Sequence, residues 1–526
     1  MRNFVPVCSL LAGLAILGGC AGGGTSPLAS TATSPSLGAQ EFVARASRFH
    51  HAPPHPPKHR HAITGADRAR AMGSGWQPVT SQGTWSNGPF SEVLLTDGSV
   101  LVHDYCSSNW NRLVPDSTGS YVNGTWQKAA AMSSTYGPLY DASAVLPDGK
   151  VLVNGGEYNF CNGDETPLGA IYDPVANSWT SVSAPSGWSR IGDAQSVVLT
   201  NGTFMLGNCC TAYQALYNES NSSWTQIGTG KADVNSEEGW TLLRSGNVLT
   251  ADVSDQPNSE EYNPTGNAWA SVGNVPVRLA DAAFEIGPQT MLMDDKVWVA
   301  GATGLSATFN EKTGTWTQGP SFPIVSGQQL DVADGPASLM VDGKVMVVAS
   351  PGDYNSPATF FVYNGKKLKE IAGPPGAPND SSYNVSLLVL PNGQVMETDF
   401  SSDVEIYTPP GHANRRVAPV IGSVPTTLTH GTTYQVSGVG FNGVSQTNFY
   451  GDDDTQAENY PLVRIVNNST GNVVYARTHG VNFMGIGSTQ TVTTSFDVPA
   501  SIGTGASKLY VVTNGIASKP VAVTVQ

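Results

Sequence analysis

The sequence predicts an all-β chain, with a seven-bladed β-propeller over residues 75–412 followed by an immunoglobulin-like β-sandwich over 413–526. Two patterns and the composition lead there. Short apolar strands flank a tight turn seven times, at Asp97-Gly98, Asp148-Gly149, Asn201-Gly202, Ser245-Gly246, Asp294-Asp295, Asp342-Gly343 and Asn392-Gly393, spaced 44–53 residues apart. After several hairpins an aromatic residue precedes a Trp by seven positions, as in Tyr172/Trp179, Tyr217/Trp224, Tyr262/Trp269 and Phe309/Trp316. Charged residues make up only 13% while Gly numbers 58 and Pro 35, the balance of a turn-rich β-protein, and 40% hydrophobic residues suffice for a core.

From the N-terminus, residues 1–20 read as an export signal. Arg2 precedes an apolar run from Leu10 to Leu17, shorter than the ~20 residues of a membrane-spanning helix. Leu17-Gly18-Gly19-Cys20 resembles the bacterial lipobox, which makes Cys20 the lipidation site of a membrane-anchored lipoprotein; the alternative is an ordinary secretory signal. Both place the mature chain outside the cytoplasm. Residues 21–74 show no periodicity and hold five of the nine His, between His50 and His61. They are expected to form a disordered Pro/His/Ser-rich linker stiffened by polyproline II, with divalent-metal binding as the alternative. Cys106, Cys161, Cys209 and Cys210 remain for disulfides in an oxidising compartment; three pairings are open, and a thiolate metal site is the rival.

In the repeat region a two-residue turn with positive φ at both positions is expected at each Asp-Gly or Asn-Gly. Four strands in each unit and a period near fifty residues identify a propeller blade, the alternative being a solenoid. Closure favours the propeller: the last unit ends near Tyr407 without a Trp, and the strand around Trp76 completes it, leaving no open edge. After Pro409-Pro410-Gly411 the pattern changes to alternating short strands at Gly431–Val436, Tyr460–Val466, Val473–Arg477, Thr491–Val498 and Leu509–Val512, the mark of a sandwich.

A net charge of −15, from 26 Lys+Arg against 41 Asp+Glu, excludes a nucleic-acid partner and leaves membrane attachment to the lipid; the chain is read as a monomer. In every blade the start of the first strand and the end of the second share one end of the propeller. His103, Asp104, Tyr140, Asp141, Glu157, Asp193, Tyr383 and Asn384 fall there, with Glu237, Glu238, Asp252, Asp281, Asp331, Asp334 and Asp399. So many carboxylates around one mouth would raise one another's pKa unless a cation lies among them, and an oxygen-rich setting favours Ca²⁺. The alternative is that the Asp side chains cap backbone N–H groups. Asp104, Tyr140, Asp141, Glu157 and Asn384 are the candidate ligand-binding residues.

The run Asp148-Gly149-Lys150-Val151-Leu152-Val153-Asn154-Gly155-Gly156, with Tyr172 and Trp179, resembles kelch repeats. Seven such blades ahead of a sandwich bearing Tyr475-Ala476-Arg477-Thr478-His479 resemble the galactose oxidase/glyoxal oxidase superfamily over residues 75–526. The resemblance implies copper held on the propeller axis by two Tyr and two His, with one Tyr joined to a Cys as a radical store. Residue by residue, Tyr383 matches the axial Tyr and His479 the sandwich-borne His. Asn384 stands where the next His belongs, Asp193 at the radical Tyr and Tyr140 at the cross-linking Cys. Loss of the Cys–Tyr pair argues against an ordinary copper-radical oxidase. The leading expectation is therefore binding of an extracellular, glycan-like small ligand at the acidic mouth. One alternative is a copper oxidoreductase using Tyr383 and Asp193 catalytically, with His479, Tyr383 and His103 on the metal. A cell-surface adhesion or assembly module is the other.

Overall fold

The computed structural model describes residues 75–526 except Asp164 and Asp353. The export signal, Cys20 and the His-rich linker lie outside the described residues.

Seven antiparallel sheets of four strands follow one another along the chain. Their innermost strands are Pro89–Leu94, Ala142–Val145, Ser196–Val198, Thr241–Leu242, Gln289–Met291, Ala337–Leu339 and Ser386–Val389. Each neighbours the next, and the last neighbours the first, so the sheets close on themselves in a β-propeller. The seventh sheet takes its outermost strand from the beginning of the described chain: Trp76 pairs with Tyr407 and Pro78 with Glu405. Trp76 is fully buried there.

The aromatic–Trp spacing has a simple cause. Tyr172 lies directly opposite Trp179, Tyr217 opposite Trp224, Tyr262 opposite Trp269 and Phe309 opposite Trp316, across the third and fourth strands of their sheets. Such cross-strand pairs are the unit of sheet stabilisation. In the first sheet Leu113 takes the place opposite Trp126. The indoles also bind one sheet to its predecessor: Trp179 Nε1 donates to the Ala130 carbonyl at 2.9 Å, Trp224 to Ser183 at 2.6 Å and Trp316 to Ser259 Oγ at 2.8 Å.

The hairpin turns depart from expectation. Only the second residue of each pair has positive φ, from Gly98 (+77°) to Gly393 (+88°), with Asp295 (+63°) in the turn that lacks Gly. Gly98 N donates to Leu95 O at 2.9 Å and Leu95 N to Ser99 O at 2.8 Å, which defines a three-residue loop closed by a left-handed residue. The preceding acid or amide has its own role: Asp97, Asp148, Asn201, Asp342 and Asn392 each accept a bond from the backbone N–H two residues on. Gly98 is further constrained, because a Cβ there would meet the Tyr475 ring at 2.5 Å.

Beyond Tyr407 the chain builds two more sheets. One orders Val420–Ser423, Thr433–Val439, Val492–Asp497 and Thr478–His479; the other orders Thr427–Leu428, Val521–Val525, Gly505–Thr513, Leu462–Asn467 and Val473–Ala476. Thr427–Leu428 runs parallel to Val521–Val525, while the other pairings are antiparallel. Both sheets share one core with sheets one, two, three and seven. They dock at the hairpin-turn end, where Thr478 N donates to Thr96 O at 3.2 Å and Arg477 Nη2 to Asp148 O at 2.8 Å.

From this base the chain enters the ring. Residues 441–460 are buried apart from Ala457. Asn448–Phe449 adds a fifth strand to sheet six, inside its innermost strand. Asn448 Oδ1 accepts from Ser338 Oγ at 2.7 Å and Val389 N at 3.0 Å, linking sheets six and seven, while Gln446 Oε1 accepts from Leu242 N of sheet four at 2.7 Å. The segment thus satisfies inner-strand groups that would otherwise face an empty axis.

Candidate functional site

At the mouth, opposite the docked sheets, the chain approaches its innermost strands through residues eight or nine positions before the turn, as at Tyr140, Asp193, Glu237, Asp334 and Tyr383. The shared register places Asp193, Glu237 and Asp334 at equivalent positions in sheets three, four and six. Tyr140, Glu237 and Asp334 hold left-handed backbone at φ +55°, +61° and +45°, uncommon for residues with side chains. The axial segment brings Tyr450 and Asp452, Asp453 and Asp454 to the same level.

Two groups of carboxylates result. Asp193, Glu237 and Asp452 each place an oxygen within 4.8 Å of the others, and Glu237, Glu285 and Asp334 do the same. At that separation two full charges would repel by roughly 3 kcal/mol at an effective dielectric of about 20. Burial, then Asp452, Glu157 and Glu165, push Asp193 well above the usual carboxylate range. Burial and the neighbouring acids do the same to Glu237 and Asp334. Asp452 rises to about 6 through burial, opposed by the N–H groups of Asp453 and Glu237 that donate to it at 2.9 and 3.2 Å. Asp454, also lifted by burial, reaches about 7 and donates its N–H to Asp141 O at 3.1 Å.

Tyrosines form the floor beside these acids. Tyr140 stacks near Tyr450 with ring centroids 6.1 Å apart, Tyr354 meets Tyr383 edge-on at 5.0 Å, and the Tyr354 hydroxyl donates to Glu285 at 3.2 Å. Disulfide Cys106–Cys161 ties the end of sheet one's second strand to a loop of sheet two beside Tyr140 and Tyr158. Cys209 pairs with its neighbour Cys210. All four sulfurs are consumed, so the thiolate-metal alternative is corrected; disulfides fit an extracytoplasmic location. No helix among the described residues is long and apolar enough to cross a membrane.

Tyr140, Asp141, Glu157, Asp193 and Tyr383 thus lie at the mouth, and several other expectations need correction. His479 sits on a strand of the docked sheets at the turn end, its Nε2 3.1 Å from Asp497 Oδ1. It cannot share an ion with Tyr383. His103 is fully buried, stacked on Trp110 with its Nε2 2.8 Å from the Ser107 carbonyl, and burial lowers its pKa to about 4. It meets neither His479 nor Tyr383, so the proposed His479–Tyr383–His103 metal set does not form. Asp104 has the capping role: its carboxylate accepts from the N–H groups of Ser86, Asn87 and Gly88 at 2.8–3.0 Å. Asn384 caps its own turn by accepting from Ser381 N at 3.0 Å. Asp281 likewise accepts from Ala283 and Glu285.

Glu238 and Asp252 belong to a different cluster, centred on Lys231. The buried Lys231 ammonium lies 2.8 Å from Glu238 and 2.9 Å from Glu260. Missing from the expected site were Tyr450 and Asp452–Asp454. Their signal, an uninterrupted acidic run after Gly451, stood in the sequence, but only the topology carries it from the C-terminal sheets to the mouth.

Copper as the resemblance implies it does not fit this site. Among the described residues no potential metal-holding group of three includes His or Cys, and the axial donors are carboxylates and phenols. Such oxygens suit a hard cation.

Beside the mouth a cavity of about 450 Å³ is lined by Trp188, Arg190, Asn208, Thr211, Tyr213 and Gln226. Tyr213 is 55% exposed. Asn208 Nδ2 donates to Arg190 O at 2.6 Å and Cys209 N to Ile191 O at 3.0 Å, fixing one wall two residues from Asp193.

No protein-family model matches the sequence, and no curated protein matches it. Solved structures match it at low identity, with TM-scores under 0.5 for those that follow. A fungal alcohol oxidase of the AA5 family, in complex with copper, is 13% identical, covering 85% of this chain and 100% of its own, with TM-score 0.48. The extracellular domain of a putative hybrid two-component system from B. thetaiotaomicron is 11% identical, over 86% of this chain and 58% of its own, at 0.45. The WD40 β-propeller domain of Doa1 is 11% identical, over 64% and 97%, at 0.42.

Proposed function

We propose that this chain is an extracytoplasmic, lipid-anchored binding protein that takes a glycan-like ligand at the propeller mouth. The observation that carries the reading is the cavity beside the acidic floor. Trp188 and Tyr213 supply aromatic faces, and Arg190, Asn208 and Gln226 supply donors and acceptors, the mixture that orients a hydroxyl-rich ligand. Glu157 borders the mouth as an acceptor for hydroxyl groups. The copper-oxidase alternative loses support because, among the described residues, no imidazole or thiol joins the axial carboxylates in a potential metal-holding group.

The test is a glycan array probed with the purified chain, followed by titration of any hit. Binding that falls at least about tenfold in Trp188→Ala and Tyr213→Ala supports the reading. A blank array points to the adhesion module. Hydrogen peroxide release from galactose or glyoxal by copper-loaded protein would revive the oxidase.

A further inference from the structure

We infer that Asp193, Glu237 and Asp452 form a site for one hard divalent cation of the Ca²⁺ type, which pins the C-terminal segment inside the propeller ring. Three distant parts of the chain converge there: the innermost-strand approaches of sheets three and four, and the axial segment. A carboxylate oxygen of each lies within 4.8 Å of the other two. Asp193, only 7% exposed, leaves its Oδ1 with no hydrogen-bond donor. Carboxylates buried without donors or a counter-charge are costly, and a cation with oxygen ligands removes that cost.

The same molecule shows the alternative solution nearby. In the Asp233–Glu238–Asp252 group the Lys231 ammonium fills the centre, bonded to Glu238 and Glu260. Asp233 also receives the N–H groups of Val253 and Ser254, both at 2.8 Å. At Asp193 the ionisable groups acting on the carboxylate are Asp452, Glu157 and Glu165 by charge and Asp453 through a side-chain hydrogen bond, all acids. Those acting on Glu237 are Glu285, Asp193, Asp452 and Asp334, again all acids. The chain builds its own cation into one buried acidic cluster and leaves the other to be completed from solution. Carboxylate-only donors select Ca²⁺, or Mn²⁺ in its place, over copper.

The inference does not depend on the glycan reading: a chain that binds Ca²⁺ but no glycan leaves it standing. The experiment strips the full chain with EDTA and titrates it with Ca²⁺, Mn²⁺ and Cu²⁺ by calorimetry, and with Tb³⁺ by luminescence sensitised through Tyr140 and Tyr450. One equivalent of Ca²⁺ is expected, with slowed hydrogen exchange across residues 441–460. Asp193→Asn and Asp452→Asn should each weaken Ca²⁺ binding by more than about tenfold, while the exposed-site variant Glu370→Gln binds as the native chain. If either variant fails to fold, the native titration and its exchange pattern still decide. Failure of the native chain to bind Ca²⁺, Mn²⁺ or Tb³⁺ would show that the cluster holds protons instead and overturn the inference. Undiminished binding in both folded variants, or protection confined to other segments, would overturn it equally.

Discussion

The Tyr450 hydroxyl donates to the Tyr383 carbonyl over 2.6 Å. That bond joins a residue of the axial segment to the short turn that opens sheet seven's innermost strand, and both rings help form the floor of the mouth. The floor is therefore shared between the propeller and the C-terminal part, and neither would present this surface alone.

Tyr450→Phe removes the donor and leaves a buried carbonyl unpaired. A loss of roughly 1–3 kcal/mol is expected in chemical denaturation. An unchanged midpoint would mean that water reaches the Tyr383 carbonyl.

Closure rests on Trp76. Its indole Nε1 donates to Ala372 O at 2.8 Å, and its ring packs on Phe360 and Tyr407 at 5.4 and 4.9 Å. Trp76→Ala should cost about 3–5 kcal/mol and expose the outer edge of Glu405–Tyr407 to hydrogen exchange. Exchange unaltered at residues 405–407 would show that the ring stays shut without it.

The Cys106–Cys161 bond closes a loop of 55 residues between sheets one and two. In the chain-entropy account, Cys106→Ser with Cys161→Ser lowers stability by about 4 kcal/mol. Calorimetry should show a lower Tm, and ligand affinity at the mouth should fall with it. A Tm matching the native chain would place the constraint elsewhere.

Asp380 and Asp399 form a facing pair. Burial and the Asp399 charge push Asp380 to about 9, and Asp399 is raised as well, chiefly by burial. A raised carboxyl binds its proton more tightly in the folded chain than in the unfolded one. The resulting stability is full below the unfolded value near 3.8 and declines as pH rises toward 9. Asp380→Asn should flatten that decline between pH 5 and 9, scored as Tm against pH. An equally steep profile in the variant would assign the decline to other acids.

Much of the architecture was legible because it depends on short-range chemistry. Positive φ at Gly98 and its equivalents, the side-chain bonds of Asp97 and Asn201, and the directly opposed Tyr172 and Trp179 all arise within a dozen residues of chain. Even there the turn itself was misjudged: Asp-Gly occupies the last two places of a three-residue loop, since the Asp side chain rewards a neighbouring N–H without requiring positive φ at Asp. The start of the first strand in each blade put Asp193, Glu237 and Asp334 at the mouth, because strand rise is regular.

The site's membership was decided at longer range. His479 and Asp452 are 27 residues apart on the same C-terminal part, yet one faces Asp497 at the turn end and the other reaches Glu237 inside the ring. Local pattern cannot separate them, because the difference lies in which segment finds unsatisfied inner-strand groups along the axis. Local residue chemistry was enough to specify the hairpins, the paired aromatics and the ring they build; the packing of the whole chain selected the carboxylates that meet at its centre, since burying charge depends on every neighbour that folding brings in.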